Sequence, residues 1–172
     1  MNGFLMVIPI ILIRYGLLSI ISKGALKRAG FFPTLIGREK IALWVYEITN
    51  IFMFLYLFLL RINTSSNWFY IGLIVYVSGV ILYTVTTINY AKPKETGINL
   101  NGLYGVSRNP MYVAYFIYFL GCALLTNSWI LLTVLIVFQI SVHWIILSEE
   151  RWCISEYGEE YKKYMNKVRR YV

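Results

Sequence analysis

Five apolar stretches, each long enough to cross or nearly cross a hydrocarbon core of ~30 Å, constrain this chain more than any other feature. They run over about 4–21, 41–60, 68–88, 111–125 and 129–147. A segment in lipid must satisfy its own backbone N–H and C=O groups, so each stretch reads as a helix. Charged residues make up only 14% of the sequence and hydrophobic ones 59%, against roughly 25% charged in soluble domains. The expected fold is all-α: a polytopic membrane protein of five transmembrane helices. The fourth is short, and Thr126-Asn127-Ser128 joins it to the fifth in a tight hairpin. No cleavage pattern follows the first stretch, which is read as a membrane helix. At 172 residues the chain reads as one domain. Residues 1–88 hold three spans; 89–172 hold a polar loop, the hairpin and a tail.

Basic residues set the expected orientation. Lys23, Lys27, Arg28, Arg38 and Lys40 follow the first span. Lys92, Lys94 and Arg108 follow the third, and Arg151, Lys162, Lys163, Lys167, Arg169 and Arg170 follow the fifth. All fall on one side, and Arg61 alone falls on the other. The positive-inside rule then puts the N-terminus outside, with the C-terminus and the loop 89–110 in the cytoplasm, in a cell-membrane protein. The same rule accounts for the net charge of +8 without nucleic acid as a partner. In the tail, Tyr157, Tyr161, Tyr164, Val168 and Tyr171 recur at helical spacing among lysines and arginines. That pattern predicts an amphipathic helix lying on the membrane surface or against the loop.

The loop carries the chemistry. Gly102 to Tyr112 is polar and turn-forming between two apolar runs. Asn109 is a good N-cap residue and Pro110 suits the first helical turn. Exposed N–H groups, a positive dipole end and the Arg108 guanidinium together favour a bound carboxylate or phosphate.

Other charges lie inside or at the end of spans, where they are costly. Arg14 sits roughly 12 Å from the end of span one, and Glu47 roughly 9 Å into span two, at 1.5 Å per residue. Matching depths predict an Arg14–Glu47 pair, read chiefly as a device that fixes helix register. Glu149 and Glu150 end the fifth span at the loop's face, with His143 roughly 9–11 Å deeper along the axis. Carboxylates at a helix C-terminus want a cation, such as an ammonium. Two glutamates and a distant histidine are a poor metal set, and no metal is expected. The cysteines, Cys122 and Cys153, have no metal or disulfide spacing. No Gly-rich phosphate loop or strand–helix alternation is present, so a nucleotide-like cofactor has to be held by helix ends and loops. By charge alone, a small transporter with Arg14 and Glu47 on its path, or a noncatalytic scaffold, remains open.

Gly102-x-Tyr104, then Arg108-Asn109-Pro110-x-Tyr112, then the hairpin, Glu149-Glu150 and Tyr157-Gly158-Glu159-Glu160-Tyr161-x-x-Tyr164-x-x-x-Val168 form a combined pattern over about 89–168. It resembles the isoprenylcysteine carboxyl methyltransferase family, which includes phospholipid N-methyltransferase-like enzymes. The resemblance implies S-adenosyl-L-methionine in a cytoplasmic pocket built by loop and tail. It also implies a lipid or small lipophilic substrate arriving from the bilayer. It puts Tyr104, Asn109, Pro110, Met111 and Tyr112 on the cofactor-binding turn. It puts Thr96, Gly97, Ile98 and Asn99 along the adenosine side, Asn89 with a polar side chain toward the cofactor, and Glu149 on its methionine part.

Two departures matter. The eukaryotic carboxyl methyltransferases have His where this chain has Asn109, and Asn does not titrate. They also carry an arginine near the substrate carboxylate where this chain has Ile145. The resemblance therefore implies methyl transfer while arguing against a prenylcysteine carboxylate as acceptor. An amine or thiol acceptor needs a base. Glu150 and His143 are the candidates, and Arg108 completes the candidate catalytic set.

Overall fold

The structure is a computed structural model that describes residues 1–92 and 98–171. Helix α1 spans Gly3–Ile21, α2 Lys23–Ala29, α3 Arg38–Leu59, α4 Phe69–Ala91, α5 Pro110–Thr126 and α6 Trp129–Lys167. A 3-10 turn over Gly102–Gly105 precedes α5. The described residues form no strand beyond two isolated bridges. The all-α expectation therefore holds. Among the described residues four helices are long and apolar enough to cross a membrane, and α5, at 17 residues, is shorter.

Local chemistry sets the helix ends. The Asn2 side chain accepts from Phe4 N–H, Ser22 from Ala25 and Ser128 from Leu131, each serving an orphan donor of a first turn. Asn127 adopts a left-handed conformation (φ 49°) that stops α5 and turns the hairpin. Ser128 N–H then returns to Ala123 C=O at 3.0 Å.

Helices α4 and α5 pack most intimately. A Cβ on Gly79 would stand 2.5 Å from Tyr118 Cα, and one on Gly121 2.4 Å from Tyr76 Cα. Only hydrogen fits there, as expected where helices associate in lipid through close backbone approach. Between the helices lies a core of Met53, Leu57, Tyr118, Phe119, Leu135 and Phe138, all essentially inaccessible. Outward-facing Ile20, Trp44, Leu59, Ile74 and Ile140 are exposed. In water they would form a large apolar patch; in a bilayer they face acyl chains.

The two ends of the bundle differ. At one, Gly3 N–H bonds to Leu60 C=O, Ile62 N–H to Met1 C=O and Asn63 N–H to Leu125 C=O. Exposed Trp68, Tyr70 and Trp129 lie at the starts of α4 and α6, on this end. At the other end α2, the loop and the tail meet. There Arg151 bonds to both Glu39 oxygens at 2.7 Å, fastening the start of α3 to α6.

The tail takes the second of its two expected positions, against the loop. Gly158 (φ 56°, ψ −130°) is non-helical and breaks Trp129–Lys167 at a kink, so the tail beyond it forms a helical segment of its own. That conformation suits glycine. Beyond it the chain returns along α6, so that Arg170 meets Glu150 and Tyr171 meets His143. Tyr161 and Tyr164 pack on Ile98 rather than on a membrane surface.

Candidate active site

The loop is held by α4 from below and by the returning tail from above. Asn89, near the end of α4, accepts from Leu103 N–H through Oδ1 at 3.0 Å, and its carbonyl accepts from the Asn99 side chain at 2.9 Å. A Cβ on Gly102 (φ 54°) would lie 2.2 Å from Asn89 Oδ1, so this turn closes only over glycine. From the tail, the Tyr164 hydroxyl donates to Tyr104 C=O at 2.7 Å. Burial pushes the Tyr104 phenol well above its usual pKa, so it stays neutral.

Asn109 and Pro110 take the N-cap and first-turn positions of α5. The Asn109 side chain makes no capping bond, however. It donates to Arg170 C=O at 3.1 Å, and its own N–H goes to Ser107 Oγ. Arg108 N–H bonds to Arg169 C=O at 2.9 Å. The Arg108 guanidinium lies 2.9 Å from Glu150 Oε1 and donates to Met165 C=O at 3.2 Å. Arg170 holds Glu150 from the other side through Nη2 at 2.7 Å. The carboxylate expected at Arg108 is thus supplied by the chain itself.

These contacts give two of the candidate catalytic residues partners within the chain. Glu150 is buried, and both its oxygens are occupied by guanidinium N–H groups. With both oxygens so engaged, it closes loop and tail onto α6. Arg108 is spent on the same carboxylate. His143, the other candidate base, lies elsewhere. Its Nδ1 lies 2.8 Å from the Tyr171 hydroxyl, in a shallow groove with Gln139, Ile140 and Trp144, apart from the main cavity.

That cavity has a volume of about 760 Å³. It is lined by Ile98, Asn99, Tyr104, Asn109, Met111, Tyr112 and Glu149 from the expected set, with Arg108 and Glu150 at the wall. Glu149 accepts from the Tyr112 hydroxyl at 2.9 Å, and no cation pairs with it among the described residues. Asn89 and Pro110 do not line the cavity as described, and Asn89 spends its side chain on the loop. Thr96 and Gly97 lie outside the described residues.

The first three spans contribute more than the sequence suggested. Arg14, Tyr46, Glu47, Asn50, Tyr83 and Tyr90 all line the same cavity. Arg14 and Glu47 form no ion pair; Arg14 Nη2 donates to Ala29 C=O at 3.1 Å. The expected register pair is therefore absent among the described residues. Asn50 accepts from the Tyr115 hydroxyl. A signal for this wall exists in the sequence: Tyr46, Glu47, Asn50 and Phe54 share one face of an otherwise apolar helix. Ile145 is fully buried but does not line the cavity, so its identity says little about the acceptor.

A family model described as phospholipid methyltransferase matches residues 64–160, more than half of the chain. No curated protein and no solved structure matches. The matched stretch covers α4, the loop, α5 and most of α6. The cavity wall from α1 and α3 lies outside it.

Proposed function

The chain belongs to the phospholipid methyltransferase family, a family of membrane methyltransferases, and from that premise we propose that it is an S-adenosylmethionine-dependent enzyme acting on a lipophilic acceptor from the bilayer. One observation carries the reading. A single cavity joins the polar loop at the bundle end (Ile98, Asn99, Tyr104, Asn109) to side chains within the spans (Arg14, Asn50, Phe54, Phe138). A water-soluble donor and a bilayer-borne acceptor have one shared space in which to meet.

The residues present fit such a cofactor. Glu149 faces the cavity with a hydroxyl partner and no cation, which suits an ammonium. Tyr104, Tyr112 and Tyr90 offer aromatic faces, which favour flat rings and cations. The volume falls in the range of ~300–1,000 Å³ usual for small-molecule sites. When bound, S-adenosylmethionine supplies an electrophilic methyl group on a sulfonium sulfur. The chain's own contribution is to bind, orient and exclude water. Glu149, Asn99, Tyr104, Asn109, Met111 and Tyr112 hold the cofactor. The clamp of Arg108, Glu150 and Arg170 keeps loop and tail closed over it. No side chain is assigned as base.

The test is equilibrium binding of radiolabelled S-adenosylmethionine to purified full-length protein in detergent, followed by methyl transfer into a lipid extract. Saturable binding with label appearing in the lipid fraction is expected. Absence of saturable binding overturns the reading.

A further inference from the structure

We propose that the groove on the outer side of α6, between Gln139, His143 and Tyr171, binds a neutral membrane lipid with a free hydroxyl, of the diacylglycerol class, and that its occupation steadies the returning tail. The site is separate from the main cavity and stands independently of the methyltransfer reading.

The groove has a volume of about 360 Å³ and is lined by Gln139, Ile140, His143, Trp144 and Tyr171. Ile140 is 61% exposed and Trp144 40%. This side of the span faces acyl chains, so whatever enters the groove comes from the bilayer. A carboxamide and an imidazole are costly on such a side, where no water serves polar groups. The Gln139 Oε1 is buried and has no hydrogen-bond partner among the described residues. Folded proteins seldom leave such an atom unserved. His143 uses one ring nitrogen within the chain, Nδ1, which lies 2.8 Å from the Tyr171 hydroxyl. With the phenol donating there, the ring hydrogen sits on Nε2 and is free to donate outward.

Gln139 and His143 stand four residues apart on α6 and so share one face. A hydroxyl set between them accepts from His143 Nε2–H. It donates to Gln139 Oε1 once the amide turns toward the groove. A chain of donors that begins at Tyr171 then ends on the orphaned oxygen. No Asp, Glu, Lys or Arg lines the groove, so neither a phosphate nor an ammonium head meets a counter-charge there. The depth agrees: His143 precedes Glu149 by six residues, roughly 9 Å along the axis and below the charged end of the helix. Ile140 and the Trp144 ring supply the apolar wall that the lipid's chains require.

The groove also touches the closure of the main site. Tyr171 follows Arg170, whose guanidinium grips Glu150 and whose carbonyl accepts from the Asn109 side chain. A lipid seated against Tyr171 is held only while the tail lies back along α6, so its binding favours that position.

The test uses full-length protein in neutral detergent, native mass spectrometry and limited trypsin digestion. The probes are dioctanoylglycerol, its O-acetyl ester and dioctanoyl phosphatidate. Dioctanoylglycerol should bind roughly tenfold more tightly than the ester, the ratio expected when one buried polar group is served or left unserved. Gln139→Leu deletes the amide and keeps a side chain of similar length. It should abolish this preference and leave phosphatidate binding unchanged. In the unmodified protein dioctanoylglycerol should slow trypsin cleavage at Lys167. Equal binding of alcohol and ester to the unmodified protein overturns the proposal even if Gln139→Leu does not fold. So does a preference that survives in Gln139→Leu, or a phosphatidate affinity that falls there as far as that of dioctanoylglycerol. A dimer of the unmodified protein that Gln139→Leu dissociates would give the groove to a second copy and also overturn it. Unslowed cleavage at Lys167 overturns the link to the tail.

Discussion

The Arg170 guanidinium grips the Glu150 carboxylate, with Nη2 2.7 Å from Oε2 and Nε 3.1 Å from both oxygens. Arg108 completes the contact from the loop. Loop, tail and α6 are therefore joined at one buried carboxylate, directly beside Glu149. Of the two adjacent glutamates, one is consumed in holding the site shut and the other is left facing the cavity.

Glu150→Gln should act on stability first. Breaking a buried ion pair by removing one partner costs ~3–5 kcal/mol, because uncompensated charge stays behind. Arg170 is about a third exposed, which favours the low end. Melting of the detergent-solubilised variant should fall clearly below that of the unmodified protein. A variant of unchanged stability whose turnover drops by roughly 10²–10⁴ would instead restore Glu150 as the base.

Glu149→Gln should act on cofactor binding. It removes the proposed ammonium partner at nearly constant shape. A charge-assisted hydrogen bond is worth ~1.5–3 kcal/mol, so the Kd for S-adenosylmethionine should rise roughly ten- to a hundredfold by titration calorimetry. Tyr112→Phe removes only the hydroxyl that orients the carboxylate and should cost less. An unaltered Kd in Glu149→Gln takes that residue out of the site.

Gly158→Ala should loosen the tail. The reversal holds φ 56° and ψ −130°, and a non-glycine residue there costs ~1–3 kcal/mol. Trypsin should then cut faster at Lys162, Lys163 and Lys167, with lower affinity for S-adenosylmethionine. Equal cleavage rates would show that the reversal does not hold the tail down.

The orientation is testable by cysteine labelling in a Cys122→Ala, Cys153→Ala background. Basic-residue asymmetry predicts that Asn63→Cys reacts with an impermeant reagent from outside, and Lys92→Cys only after permeabilisation. The two positions lie at opposite ends of α4. The reverse pattern would put the loop in the other compartment.

The sequence by itself determined the apolar helices, their approximate ends and the turn that opens α5, while the short helix α2 showed no such signal. Those features depend on apolar length, capping chemistry and short hairpins, all of which act between residues close in the chain. Asn109-Pro110 could be placed at a helix start, and Asn127 at a hairpin, from neighbours alone. What Arg108, Glu150, His143 and Arg14 do was decided only in the tertiary structure. Each is a charged or titratable group whose role depends on which partner arrives from a distant part of the chain. Arg108 and Arg170 reach Glu150, Tyr171 reaches His143, and Glu47 stops short of Arg14. A carboxylate waiting for a substrate and a carboxylate already paired read the same in one dimension. The reversal at Gly158 separates them, because it delivers Arg170 to Glu150 and leaves Glu149 facing the cavity.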